Sequence, residues 1–163
     1  MKLQVAGFLE HSTVNGIGLR SVLFLSGCPH HCPYCQNETM QNYDYGESID
    51  DGIILSRILK NSPLLEGVTL SGGEPFEQAK ALLPLVKAIK AHKLTLWCYT
   101  GYTYDELLQD PDKQQLLTYI DVLVDGPFIN ALKDENLKYR GSSNQHVYEL
   151  IDGKINRTLY EID

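Results

Sequence analysis

The chain has no apolar run long enough to cross a bilayer. Its longest, Ser21 to Gly27 and Leu94 to Tyr99, fall far short of the roughly 20 residues that a spanning helix needs. Positive charge is in short supply, with 14 Lys and Arg against 21 Asp and Glu and a net charge of −7. Neither nucleic acid nor an anionic membrane surface is therefore an expected partner. Glycine and proline, 13 and 7 residues, are too few for a fibrous or disordered chain. No internal repeat, low-complexity stretch or linker interrupts the sequence, and Met1-Lys2 leads into a short alternating segment that does not read as a signal peptide. The expectation is a single cytoplasmic domain over residues 1–163. Its length suffices to bury roughly 70% of the unfolded surface without a covalent staple.

Cysteine is scarce as well. Of four, Cys28, Cys32 and Cys35 crowd into eight residues and Cys98 stands alone. A disulfide framework spreads its cysteines along the chain, so in a reducing compartment this spacing reads as metal-binding or catalytic.

Strand and helix signals alternate. Strands are expected at Leu3 to Phe8, Val22 to Ser26, Val68 to Ser71, Leu94 to Tyr99 and Ile120 to Val124. Between them, a helix is expected from Ser48, with Asp50 and Asp51 in its first turn, to Asn61 and Pro63. A second runs from Phe76 to His92 with a break or kink at Pro84. A capping box at Thr103 to Glu106 opens a short helix, and another spans Pro111 to Tyr119. Asp152-Gly153 between two apolar runs marks a C-terminal β-hairpin. Strands separated by helices make the class α/β, with a parallel sheet and right-handed crossovers.

Four apolar strands each run into a chemically loaded segment: the cysteine cluster, Gly72-Gly73-Glu74, Tyr99-Thr100-Gly101-Tyr102, and Asp125-Gly126-Pro127-Phe128. In a parallel sheet all four emerge on the carboxyl-end rim, where α/β proteins place their sites. Residues a hundred positions apart are thereby expected to face one pocket.

The cluster has the spacing C-x3-C-x2-C. A structural zinc site takes four ligands, and an electron-carrying cubane takes four thiolates. His30 or His31 is a possible fourth zinc ligand, but both sit inside the three-residue gap, where reaching the same ion strains the loop. Cys98 is a possible fourth thiolate, but it lies within an apolar strand, where a free cysteine behaves as a small hydrophobe. The reading that fits best is a [4Fe-4S] cluster held by three cysteines, with one iron open to an external ligand.

Cys28-x3-Cys32-x2-Cys35, with Tyr34 before the last cysteine and Gly72-Gly73-Glu74 ending the next strand, resembles the signature of radical S-adenosylmethionine enzymes. Val14-Asn15-Gly16-Ile17-Gly18-Leu19-Arg20 is similar to a segment of the activases of glycyl-radical enzymes. The compact length, Asp125-Gly126-Pro127-Phe128 and Arg140-Gly141-Ser142-Ser143-Asn144-Gln145 resemble the branch that activates the anaerobic ribonucleoside-triphosphate reductase. The resemblance runs from about Ser12 to Gln145 and thins after Tyr102.

What the resemblance implies is specific. Cys28, Cys32 and Cys35 hold the cluster, and S-adenosylmethionine chelates the open iron. Tyr34 packs near its adenine, with Gln36 on the same wall. Gly72, Gly73 and Glu74 take the ammonium group, and Thr100 and Asp125 contact the ribose or the methionine end. Some activases carry a basic residue two positions after the Asp125 equivalent; here that residue is Pro127. Arg20 and Arg140 are candidates for the cofactor carboxylate or the partner, with solvated surface positions as the plainer alternative. The partner is the large glycyl-radical reductase, and electrons come from a low-potential donor such as flavodoxin. A polypeptide substrate needs an open rim, so the fold implied is an incomplete, TIM-like α/β barrel. Alternatives are an activase of another glycyl-radical enzyme, a small-molecule radical enzyme such as the deazaguanine-forming synthase, and, outside this chemistry, a non-catalytic zinc-binding interaction module.

Overall fold

The computed structural model describes residues 1–33, 35 and 37–160; Tyr34 and Gln36 lie outside the described residues. Eight strands form one mixed sheet. β1 (Lys2–Ser12) pairs antiparallel with β2 (Arg20–Leu25), and β3 (Glu47–Asp50) pairs antiparallel with the other side of β1. β4 (Gly67–Gly72), β5 (Thr95–Tyr99) and β6 (Val122–Asp125) add in parallel to β2, and β7 (His146–Ile151) and β8 (Lys154–Leu159) continue antiparallel. The order is β3-β1-β2-β4-β5-β6-β7-β8, which puts β3 and β8 at the two edges.

The parallel core of the sheet and its hairpin agree with the sequence expectation. Asp152 and Gly153, with φ of 52° and 80°, form the tight turn between β7 and β8. Two elements differ. Ser48 belongs to β3, a short polar strand that the free edge of β1 recruits, and the helix α1 (Asp51–Asn61) begins only after Asp50 caps the Gly52 N–H. The segment after Glu74 is a 3-10 turn (Pro75–Gln78) followed by α2 (Ala79–Ala91), which runs unbroken through Pro84. Pro84 and Lys80 are both exposed, so water can satisfy the Lys80 carbonyl that proline leaves without a partner. The Thr103–Glu106 capping box opens α3 (Tyr104–Leu107), and Asp110 caps α4 (Pro111–Leu117).

Alternate strand residues face opposite ways. Leu23, Leu25, Val68, Leu70, Leu96 and Leu123 pack with Ile58, Leu82, Val86, Ile89 and Leu116 of the helices in one core. Each such fully buried aliphatic side chain contributes about 1.5–3 kcal/mol. Among the described residues, no helix contributes a side chain to the cluster on the opposite face. There Val22, Thr69, Trp97 and Val122 lie side by side in register, and Trp97, Val122, Val124 and Val147 form a second, smaller cluster.

Arg20 closes the amino end of this second face, fully buried. Its Nε donates to Thr69 Oγ1, Nη1 to the Ile17 carbonyl and Thr95 Oγ1, and Nη2 to the Val68 and Thr95 carbonyls, all at 2.9–3.0 Å. The guanidinium thus staples β2, β4 and β5 to the loop before β2. Neither a surface position nor a cofactor contact describes it. Burial lowers its pKa to about 10, with Asp121 and Glu66 opposing that shift.

Candidate active site at the carboxyl ends of the parallel strands

A cavity of about 440 Å³ opens where β2, β4, β5 and β6 end. Cys28, Cys32 and Cys35 line it from the first segment, Gly72 and Gly73 from the second, Thr100 and Gly101 from the third, and Gly126 and Phe128 from the fourth. Val14 and Asn15 close one side, and Tyr139 to Gly141 with Gln145 another. The convergence expected from four short motifs is therefore met.

The cysteine loop is pinned at its start. The Gly27 N–H donates to the Met40 carbonyl at 2.7 Å and the Cys28 N–H to the Gln41 carbonyl at 3.0 Å. Cys28 is buried, and Cys32 and Cys35 are half-buried. Burial pushes the Cys28 thiol up to about 11, against a backbone N–H from His30, and raises Cys32, against one from Phe128. Among the described residues, no three His, Cys, Asp or Glu side chains converge on a single ion. Thiolates that bind different irons of one cluster need no such convergence.

Gly72 and Gly73 are required by the protein's own backbone. Gly72 has φ of +108°, and a Cβ there would lie 2.4 Å from the Leu25 carbonyl oxygen. A Cβ on Gly73 would lie 2.6 Å from the carbonyl oxygens of Gly27 and Met40. With both side chains missing, the cysteine loop seats directly on the end of β4. The Gly73 N–H bonds the Leu25 carbonyl at 2.8 Å and the Glu74 N–H the Gly27 carbonyl at 2.7 Å.

Glu74 is fully buried behind this wall. Its carboxylate accepts the Thr100 hydroxyl at 2.8–2.9 Å, the Gly101 N–H at 2.7 Å and the Phe76 N–H at 3.1 Å, and His30 Nε2 lies 2.8 Å from Oε1. Thr100 itself lines the cavity. Asp125 is also buried; its carboxylate accepts the N–H groups of Tyr104 and His146 and contacts the His146 ring, which ties β6 to α3 and β7. Of the expected residues, the three cysteines, both glycines and Thr100 line the cavity, while Glu74 and Asp125 sit behind it holding other parts of the rim.

His30 is the residue that sequence reasoning weighed only as a metal ligand. Its ring packs edge-on to Tyr102 with centroids 4.4 Å apart and lies against Gly101, where a Cβ would come within 2.4 Å. The one signal for it was its place inside the cysteine spacing. Cys98 is fully buried in the helix-facing core and takes no part in the cavity wall.

A family described as a 4Fe-4S single cluster domain matches residues 14–148. The anaerobic ribonucleoside-triphosphate reductase-activating protein of Vibrio cholerae is 42% identical over 83% of this chain and 90% of its own length. That of Escherichia coli is 38% identical over 84% and 92%, and that of Enterobacteria phage T4 is 35% identical over 86% and 90%. The chain belongs to the family of anaerobic ribonucleoside-triphosphate reductase-activating proteins. QueE from Escherichia coli shares the fold, with a TM-score of 0.51 and 18% identity over 63% of this chain and 54% of that one.

The donor set fits the iron–sulfur cluster that the family's description names. Three thiols line one cavity, and the fourth cysteine, packed in the helix-facing core, does not line it. The Arg140–Gln145 motif of this activating-protein sequence is a loop clamp. Gln145 Oε1 accepts the N–H groups of Gly141 and Ser142 at 2.9 and 3.1 Å, and Nε2 donates to the Gly126 carbonyl at 3.0 Å. Asn144 Nδ2 donates to the Pro127 carbonyl at 2.8 Å. The motif thereby fixes a long excursion to the end of β6 and forms the far wall of the cavity.

Proposed function

We propose that this chain is a radical S-adenosylmethionine enzyme that installs a glycyl radical on an anaerobic ribonucleoside-triphosphate reductase. The observation that carries the reading is the set of three thiols, Cys28, Cys32 and Cys35, on one cavity that also has room for a nucleoside-sized ligand. When bound, the reduced cluster and S-adenosylmethionine supply the electron and the radical that takes a hydrogen atom from the target glycine.

The chain's own residues position and exclude. The three cysteines hold the cluster, and the N–H groups of His30 and Phe128 face two of its ligands, where hydrogen bonds tune potential. The carbonyl edge of Gly72-Gly73 receives the cofactor's ammonium. Glu74 acts through Thr100 and Gly101, holding that edge and the ribose-facing hydroxyl in register, and Asp125 fixes the β6 end beside them. Tyr34 and Gln36, which lie outside the described residues, are by the resemblance the contacts to the adenine. The sheet is the wall of an incomplete barrel, whose open side admits the polypeptide. The reductase is the partner and a low-potential protein such as flavodoxin the donor, with the chain working in the cytoplasm on neither nucleic acid nor membrane. No described helix is long and apolar enough to cross a bilayer.

Anaerobic iron–sulfide reconstitution followed by reduction, S-adenosylmethionine and the reductase should give a glycyl EPR signal. A colourless protein that binds zinc tightly and takes up no iron would instead establish the interaction-module alternative.

A further inference from the structure

Cys28 is gripped from outside the cavity as well as from within it. The segment that accepts the Gly27 and Cys28 N–H groups, through the carbonyls of Met40 and Gln41, continues two residues on to Tyr43. The Tyr43 ring lies directly against Gly27, where a Cβ would fall 2.4 Å from it. On the other side of Cys28, the ring of His30 meets that of Tyr102 edge-on. Two tyrosines thus press on the loop one residue before Cys28 and two residues after it.

Both phenols end on one carboxylate. Tyr43 donates to Glu77 Oε1 at 3.0 Å and Tyr102 to Glu77 Oε2 at 2.7 Å. Lys113 of α4 adds its Nζ 3.5 Å from Oε2 and 4.2 Å from the Tyr102 ring centroid, which holds the same ring from its face. Glu77 belongs to the 3-10 turn that Glu74 caps. Two carboxylates three residues apart therefore reach the cysteine loop by different routes, Glu74 through the His30 imidazole and Glu77 through the two tyrosines. Glu77 does not line the cavity of the three cysteines.

We propose that Glu77 is a positioning residue for the iron–sulfur cluster: by holding Tyr43 and Tyr102 it brackets Cys28 and fixes the direction in which that sulfur is presented. This rests on Cys28 being a cluster ligand in the function proposed above. A ligand already ordered in the folded chain loses no further freedom when iron binds, so the bracket favours retention of the cluster.

The first measurement needs no metal. Alkylation of the metal-free full chain under reducing conditions, resolved for each cysteine by mass spectrometry, compares Cys28 with Cys98. Local opening is enough to expose Cys28, whereas Cys98, fully buried in the helix-facing core, reports global opening. Glu77→Ala should speed alkylation of Cys28 relative to Cys98 by about 5- to 30-fold, and Tyr43→Phe and Tyr102→Phe by about 5-fold each. Glu77→Gln, which keeps one acceptor oxygen, should fall between wild type and Glu77→Ala. In reconstituted protein, the rate at which a chelator strips iron should rise in the same order. If Cys28 and Cys98 accelerate together, or neither does, Glu77 holds no bracket around Cys28; if Cys28 alone accelerates while iron release is unchanged, the bracket does not serve the cluster. Each of these outcomes overturns the proposal and leaves the function standing. Wild-type protein that takes up no iron brings down the function itself, whatever the alkylation shows.

Discussion

His30 Nε2 and Glu74 Oε1 lie 2.8 Å apart, joining the middle of the cysteine loop to a carboxylate that no solvent reaches. Glu74 also holds Thr100, Gly101 and Phe76, so one side chain ties together the cluster loop, the end of β4 and the end of β5. A carboxylate accepts at all of these points, whereas an amide must turn one donor against them. Glu74→Gln should therefore destabilise the metal-free protein by about 2–4 kcal/mol, since charge-assisted bonds are worth more than neutral ones and a buried mismatch adds to the loss. Thermal unfolding of metal-free protein checks this. A residue kept only to bind a ligand would leave that transition unmoved, or raise it.

Much of this rim was legible because its causes are local. Apolar runs that break into Gly-, Thr- or Asp-bearing turns mark the four parallel strands, and turn and cap residues mark the hairpin at Asp152-Gly153 and the box at Thr103. Parallel pairing then required the segments after them to share one end of the sheet. The missed features have long-range causes. β3 is four residues, Glu47–Asp50, with no apolar alternation, and exists because β1 offers it an edge. The burial of Arg20 depends on acceptors from Ile17, Val68, Thr69 and Thr95, which no spacing rule brings together. Likewise Gly72 and Gly73 were legible as places of close approach, but what approaches, the backbone of Leu25, Gly27 and Met40, appears only in three dimensions.

Cys98→Ala separates a cluster ligand from a core thiol. Cys98 is fully buried, and its Sγ has only a long contact, 3.7 Å, to the Tyr99 carbonyl. Removing one sulfur atom from a packed core should cost about 1 kcal/mol and leave iron bound per chain unchanged. Loss of iron from this variant would mean that the cluster has a fourth protein ligand.

The metal-free protein should weaken in alkali. Burial raises the Cys28 thiol from 9.0 to about 11, so the native state holds its proton more tightly than the unfolded chain does. That stabilisation is complete below about pH 9 and is lost as the pH climbs to about 11. Burial raises Cys98 in the same direction, and burial together with the Glu77 contact pushes Tyr43 up to about 12, which extends the decline. Denaturant unfolding across pH 8 to roughly 11 should show the fall, and Cys28→Ala should make it shallower. A flat profile would show that the Cys28 thiol is as hydrated in the native protein as in the unfolded one.

Arg20→Lys isolates the staple at the other end of the strands. Arginine fills five acceptor positions there with five N–H groups. Lysine brings three donors on one nitrogen and has no plane to spread them between β4 and β5. At least two buried acceptors are then left without a partner, and the charge loses its place against the Trp97 ring, 5.7 Å away. The expected loss is about 3 kcal/mol, and at about 2–4 °C per kcal/mol for a chain of this size the midpoint should fall by roughly 6–12 °C. Because the site sits at the opposite ends of the strands, iron bound per folded chain should not change. If the midpoint is unmoved, lysine reaches the same carbonyls and the fork geometry is dispensable; if iron falls with stability intact, Arg20 acts on the cavity through Thr69, whose hydroxyl donates to the Asn15 carbonyl at 2.6 Å.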